Sequence, residues 1–137
     1  MEIRIYQDAD EAAVIALWND VLPPNAPHND PATSIRMKLA VGRDLFFVAT
    51  VAGAVVGTVM GGYDGHRGWV YSVAVHPRHQ RQGIGAALLR RLEGALRERG
   101  CLKVNLQVRA TNAGVIAFYE KLGFAVEEII SMGKRLY

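Results

Sequence analysis

The first residues alternate polar and apolar, Glu2-Ile3-Arg4-Ile5-Tyr6, and predict a strand. The period then changes. Val14, Leu17, Trp18 and Val21 recur at i, i+3, i+4 and i+7, the stripe of a helix over about 11–21, and Asp10 stands where its cap would be. Pro23, Pro24, Pro27 and Pro31 impose an extended stretch, either a plain connector or one wall of a substrate mouth, before a second short helix over about 32–41. Three strand-like runs follow, Leu45–Val51, Ala54–Tyr63 and Trp69–Val75. Gly53 turns the first into the second, and Asp64-Gly65 between apolar runs is a hairpin signal because both residue types tolerate positive φ. Helical spacing returns over Ile84–Arg99. There Ile84, Leu88, Leu92, Ala95 and Leu96 share one face, the arginines take the other, and Gly100 supplies the stop. Leu102–Val108 alternates again. Asn112 begins a short helix with Val115, Ile116, Tyr119 and Leu122 on one face and Gly123 at its end. Phe124–Tyr137 reads as two strands broken near Ser131–Gly133.

The order β-α-α-β-β-β-α-β-α-β-β is that of an α/β (α+β) fold with a mixed sheet. A strand, the long helix and the next strand make one βαβ unit, whose two strands should run parallel. At 137 residues the chain has the size of one domain with one core, and 1–137 is read as such. Half of its residues are hydrophobic, which excludes a disordered chain. The single cysteine, Cys101, excludes an internal disulfide framework and a multi-cysteine metal site; packing, not nucleophilic chemistry, is its expected role. No apolar run reaches the roughly 18 residues a membrane helix needs, and no leader with an apolar middle is visible. A cytoplasmic protein with no membrane partner and no bound metal is expected.

Charge changes the picture through its distribution. The net value is +3, yet residues 67–109 hold nine bases (Arg67, Arg78, Arg81, Arg90, Arg91, Arg97, Arg99, Lys103, Arg109) against Glu93 and Glu98. This middle stretch should project positive potential toward an anionic ligand, unless the helix arginines simply form a solvated face. No nucleic-acid module accompanies it, and the bases surround a glycine turn better suited to one small phosphate group.

That turn is the central signal. Val73-Ala74-Val75-His76-Pro77 ends a strand, and Arg78-His79-Gln80-Arg81-Gln82-Gly83-Ile84-Gly85-Ala86 opens the long helix. The first turn of a helix carries N–H groups without intrahelical acceptors and the positive end of the macrodipole. Glycine lets a phosphate come close to that backbone. The pattern is neither the dinucleotide fingerprint, since Leu88 stands where its third glycine would be, nor the phosphate loop ending in Lys-Ser/Thr. By itself it is either a diphosphate cradle or a structural turn with tight helix packing.

Val73-Ala74-Val75-His76-Pro77, followed by Gln80-x-x-Gly83-x-Gly85-Ala86 and a leucine-rich helix, resembles motif A of the GNAT superfamily of N-acetyltransferases. The run from Asn112 through Tyr119 to Leu122-Gly123-Phe124 resembles the other signature of that superfamily. The segment Gly57–Gly68 and the closing Gly133-Lys134-Arg135-Leu136 resemble its YpeA-like subgroup. The resemblance implies a mixed, mostly antiparallel sheet of six to seven strands flanked by about four helices. Its fourth and fifth strands splay apart at a bulge, where acetyl-CoA lies as co-substrate. It further implies that the backbone of Val73, Ala74 and Val75 pairs with the pantetheine arm. Arg81, Gln82, Gly83, Ile84, Gly85 and Ala86 then hold the diphosphate, and Asn112 contacts the arm. A backbone N–H in Val73–Ala74 polarises the thioester carbonyl. Tyr119 acts on the departing thiolate.

The activity so implied is N-acetyl transfer to a primary amine of a small molecule or a peptide or protein α-amine, by direct attack in a ternary complex. One departure stands out. Gln107 occupies the position where many relatives carry a glutamate, and Trp69 and Tyr71 occupy positions where others carry histidines. The general base is therefore unassigned, with Tyr71 as a relay through water. His76 and His79 read as loop structure, and Asp64 and His66 sit in the hairpin turn. An amine of low pKa is the acceptor such a site suits. Two other readings compete: an acyl-CoA-binding module without catalysis, and an acetyltransferase acting on aminoacyl-tRNA. The acyl-chain preference and a homodimeric or monomeric state stay open.

Overall fold

A computed structural model describes residues 1–23 and 26–137. Its elements are β1 (Glu2–Ile5), α1 (Glu11–Val21), α2 (Pro31–Val41), β2 (Phe46–Val51), β3 (Ala54–Tyr63), β4 (Gly68–Val75), α3 (Ile84–Glu98), β5 (Val104–Asn105) and α4 (Ala113–Lys121). They fall into two compact units, residues 1–107 and 108–137. Pro24 of the proline-rich stretch lies outside the described residues.

In the first unit five strands form one sheet in chain order, β1-β2-β3-β4-β5. The first three pairings are antiparallel and the last, β4 with β5, is parallel, as the βαβ reading requires. The hairpins turn where the glycines predict: Gly53 has φ +81 and Gly65 has φ +92, conformations other residues resist. Asp64 completes the second turn, its Oδ1 accepting from the N–H groups of His66 and Arg67 at 2.8 and 2.7 Å.

Both faces of the sheet are covered. On one, Tyr6, Val14, Leu17, Trp18, Ile35, Phe46, Val48 and Ala74 form a core, with Tyr6 stacked on Phe46 at 4.5 Å. On the other lies α3, with Leu88, Leu89 and Leu92 fully buried. Burying each such side chain contributes about 1.5–3 kcal/mol. Missing side chains on the strands seat α3. A Cβ on Gly57 would come within 3.1 Å of Ile84 and Leu88, one on Gly61 within 2.3 Å of Leu92, and one on Gly68 within 3.0 Å of Leu96 and Cys101. Cys101 thus packs under the helix end, as expected of a filler, and its Sγ donates to Lys103 O at 3.3 Å.

Three expectations change. Of the strand expected over 102–108, only Val104–Asn105 forms. The described residues hold five strands, not six or seven, because residues 124–137 carry no regular structure. Asp10 does occupy the residue before α1, but its carboxylate does not cap it. It instead takes a bidentate pair from Arg4 at 2.8 and 2.9 Å and the Gln7 N–H at 2.8 Å. The Arg4 guanidinium holds its pKa below the usual carboxylate range, against the opposing effect of burial.

Candidate functional site

The site begins on β4. Its register with β3 runs Met60↔Tyr71 and then Thr58↔Ala74, so Ser72 and Val73 together oppose Val59. This is a β-bulge, and Ser72 carries it with φ +49. A left-handed conformation costs a non-glycine residue roughly 1–2 kcal/mol. A side chain supports it: Thr58 Oγ1 donates to the Ser72 carbonyl at 2.9 Å and accepts from Trp18 Nε1 at 2.8 Å. On its other edge β4 pairs with β5 through Gly68↔Val104 and Trp69↔Asn105, and β5 ends there. Val70–Val75 run on beyond it. The strands the resemblance expects to part therefore share a ladder only at one end among the described residues.

Past Val75 the chain is tied down at each step. His76 N–H donates to Val56 O at 2.8 Å, and its ring Nδ1 accepts from the Arg78 N–H at 3.1 Å. Gln80 Nε2 reaches back to Val75 O at 3.0 Å. His76 is thus a cap for the short turn Pro77–His79, as its structural reading predicts. Arg81 (φ +64) and Gly83 (φ +80) then swing the backbone into α3 through left-handed conformations. Gly83 is the residue before the helix, no side chain caps it, and a Cβ there would meet nothing within 4 Å. Arg78, Arg81, Gln82 and Gly83 are all exposed. The passage from β4 to α3 is an open backbone cradle at a helix N-terminus, with two guanidinium groups in its loop, and its chemistry fits a diphosphate.

The predicted donor-site residues in this unit, Val73, Ala74, Val75 and Arg81 to Ala86, are consecutive parts of that passage. The Ala74 and Ile84 side chains are buried. Any part they play in holding a ligand goes through the main chain. The remaining cations divide differently. Arg91 lies 5.3 Å over the Phe47 ring, Arg97 pairs with Glu93 at 3.6 Å, and Arg99 pairs with Asp44. These three of the nine bases tie α3 to its surroundings or to itself. Beside the bulge, Tyr71 and Lys38 approach Gly62, with Tyr71 Cε2 at 3.9 Å and Lys38 Nζ at 4.0 Å from where its Cβ would be. Burial lowers the Lys38 amine and raises the half-exposed Tyr71 hydroxyl from their ordinary pKa values.

The second unit holds the other signature. Asn112 precedes α4 and caps it, its Oδ1 accepting from the Val115 N–H at 3.2 Å. The Tyr119 ring meets Phe118 and Phe124 edge-on, with centroids 5.1 and 5.6 Å away. Burial pushes its hydroxyl up to about 12. Tyr119 therefore keeps its proton throughout the physiological range.

A family model described as the acetyltransferase (GNAT) family matches residues 11–124. This chain belongs to the GNAT acetyltransferase family. The match crosses both signatures. An acetyltransferase of Pectobacterium atrosepticum is 51% identical over 138 residues, covering 99% of this chain and 96% of that one. One of Yersinia enterocolitica is 49% identical over the same shares. Among solved structures, Ard1 from Thermoplasma volcanium superimposes with a TM-score of 0.82 at 31% identity, over 92% of this chain and 83% of that one. The ribosomal-protein-S18-alanine N-acetyltransferase from Escherichia coli does so with a TM-score of 0.74 at 27% identity, over 89% and 76%. The α+β fold with a mixed sheet is that of GNAT acetyltransferases, and the chain is an acetyltransferase of a family whose co-substrate is acetyl-CoA. No helix among the described residues is long and apolar enough to cross a membrane.

Sequence reasoning missed Thr58, Trp18 and Ser72. Tyr71 and Ala74 lie three apart yet pair with Met60 and Thr58, two residues apart on one face of β3. Only the partner strand reveals that slip of phase.

Proposed function

We propose that this protein transfers the acetyl group of acetyl-CoA to a primary α-amine, by direct attack while both substrates are bound. One observation carries the reading: the β4 bulge lies past the end of β5 and leads, within one short loop, to the open N-terminus of α3. Acetyl-CoA supplies the activated acyl group. Main-chain groups of Val73–Val75 pair with its arm, and the N–H groups of Arg81–Ala86 hold its diphosphate, aided by the Arg81 side chain. A bulge N–H polarises the carbonyl as negative charge develops on it. Asn112, whose Oδ1 is engaged in its helix cap, contacts the arm through Nδ2. The family match spans both compact units, which supports taking 1–137 as one acetyltransferase domain.

Tyr119 serves as a hydrogen-bond donor to the departing sulfur. Its hydroxyl, at about 12, is roughly 3.5 units less acidic than a thiol of about 8.5, so complete proton transfer is uphill by about 5 kcal/mol. A hydrogen bond to the thiolate needs no such transfer.

The acceptor follows from the missing carboxylate. With Gln107 where a glutamate would serve as base, the enzyme depends on amine that is already neutral. A lysine side chain of pKa about 10.4 is only about 0.04% neutral at pH 7, whereas an α-amine of about 7.7–8.0 is about 10–17% neutral. The structural similarity to an enzyme named as a ribosomal-protein-S18-alanine N-acetyltransferase supports the same preference. Competition between α-amine and lysine peptides at neutral pH is the test. Faster acetylation of α-amines is expected, and equal or faster acetylation of lysine side chains contradicts the acceptor assignment. Gln107 also favours the non-catalytic acyl-CoA-binding reading; release of free CoA above background with amine acceptors excludes it. The tRNA reading rests on the basic stretch, three of whose nine bases, Arg91, Arg97 and Arg99, are engaged in internal contacts.

A further inference from the structure

We infer that Thr58, held by Trp18, is a positioning residue for acetyl transfer, fixing the Ser72–Val73 peptide so that the Val73 N–H is the donor aimed at the thioester carbonyl. The inference rests on the proposed acetyl transfer and selects one N–H within it. Its basis is the rigidity of a single peptide unit. Every peptide bond in the described chain is trans, so the Ser72 carbonyl and the Val73 N–H are opposite ends of one plane. Thr58 lies on β3 and draws the Ser72 oxygen to its own side at 2.9 Å. The Val73 N–H then points away from the Thr58 hydroxyl, and on the edge of β4 away from β3 the strand β5 has already ended.

The clamp is fully satisfied. The Thr58 hydroxyl gives its single proton to Ser72 and receives one from Trp18 Nε1 at 2.8 Å. Thr58 is wholly buried and Trp18 nearly so, and the indole is itself stacked on Phe46 at 5.9 Å. The Trp18–Thr58 bond is buried, and the Thr58–Ser72 bond is partly so. Without the hydroxyl, the Ser72 carbonyl loses the partner that holds residue 72 in its left-handed conformation, and relaxation of that conformation rotates the Val73 N–H. A donor acts on catalysis only where charge develops, so misaiming it should reduce kcat and leave ground-state binding alone.

The test pairs Thr58→Val, which keeps the shape and removes the hydroxyl, with Thr58→Ser, which keeps the hydroxyl. Acetyl-CoA and an alanine-leading peptide serve as substrates, and crystal structures of both variants report the bulge. The expected result is a kcat about tenfold lower for Thr58→Val, with the KM for acetyl-CoA unchanged and the Ser72 conformation relaxed. Thr58→Ser should restore both. Wild-type kcat in Thr58→Val, equal losses in the two variants, or a bulge that superimposes on the parent in Thr58→Val each overturn the inference. Should Thr58→Val not fold, Trp18→Phe carries the kinetic arm: a kcat about threefold lower at constant KM supports the clamp, and an unchanged kcat overturns it. If the parent protein transfers no acetyl group, the proposed function fails, and the clamp stands or falls on whether the two crystal structures differ at Ser72.

Discussion

The passage from β4 to α3 and the region from Asn112 to Tyr119 carry the two signatures, but they are built in opposite ways. The first is made of main chain. Its bulge, its left-handed residues at Ser72, Arg81 and Gly83, and its uncapped helix N-terminus present peptide groups. Side chains such as Thr58, His76 and Gln80 serve it from behind by holding carbonyls or loop N–H groups in place. The second is made of side chains on a short helix that caps itself through Asn112. A backbone site is protected from most substitutions and broken by those that alter backbone shape or block access to it. A side-chain site is broken one group at a time.

The largest expected effect strikes the support of the backbone site. Gly61→Val would drive a Cβ to within 2.3 Å of the fully buried Leu92, so that α3 or the Leu92 side chain must shift. A loss of about 3 kcal/mol of stability is expected, read by chemical denaturation. Next, Gly83→Glu places a bulky anion where the diphosphate should lie, and enforces a left-handed conformation on a non-glycine residue. CoA affinity should fall by about a hundredfold or more by calorimetry while the fold persists, and retained affinity would move the diphosphate site elsewhere. By contrast Tyr119→Phe removes one hydroxyl from the side-chain site. Turnover should fall about ten- to a hundredfold with CoA affinity unchanged, since a hydrogen bond to a charged group is worth about 1.5–3 kcal/mol. Unaltered turnover removes Tyr119 from the chemistry. Because its hydroxyl stays protonated up to about 12, Tyr119 should also cause no decline in kcat between pH 7 and 10. The smallest effect lies outside both regions. Asp10 has its pKa lowered by Arg4, so the stability it contributes is present above the ordinary carboxylate range and lost as pH falls through the lowered value. Asp10→Asn should cost about 1 kcal/mol at pH 7, and the difference from the parent should shrink below about pH 4.

The same contrast explains what the sequence disclosed. Elements with strong periodicity and glycine stops were legible: α1, β3 and α3 begin and end within a residue of their predicted bounds. The turn into α3 was legible as well: Gly83 takes the left-handed conformation its residue type allows, just before the helix. The bulge was not. It depends on Ser72, a residue without a left-handed signature, and on a hydroxyl fourteen positions earlier in the chain. Asp10 misled for a related reason. Its residue type fits a cap, but the guanidinium of Arg4 on the neighbouring strand competes for the carboxylate and wins through two charged hydrogen bonds.

The claim on which the account turns is that peptide N–H groups of β4 and of the α3 N-terminus receive the donor. Titrating isotope-labelled protein with CoA and following each backbone amide by NMR addresses it directly. The account predicts the largest shifts at Val73–Val75 and Gln82–Ala86, saturating together. Saturable shifts centred elsewhere, or spectra unmoved by CoA, would contradict it.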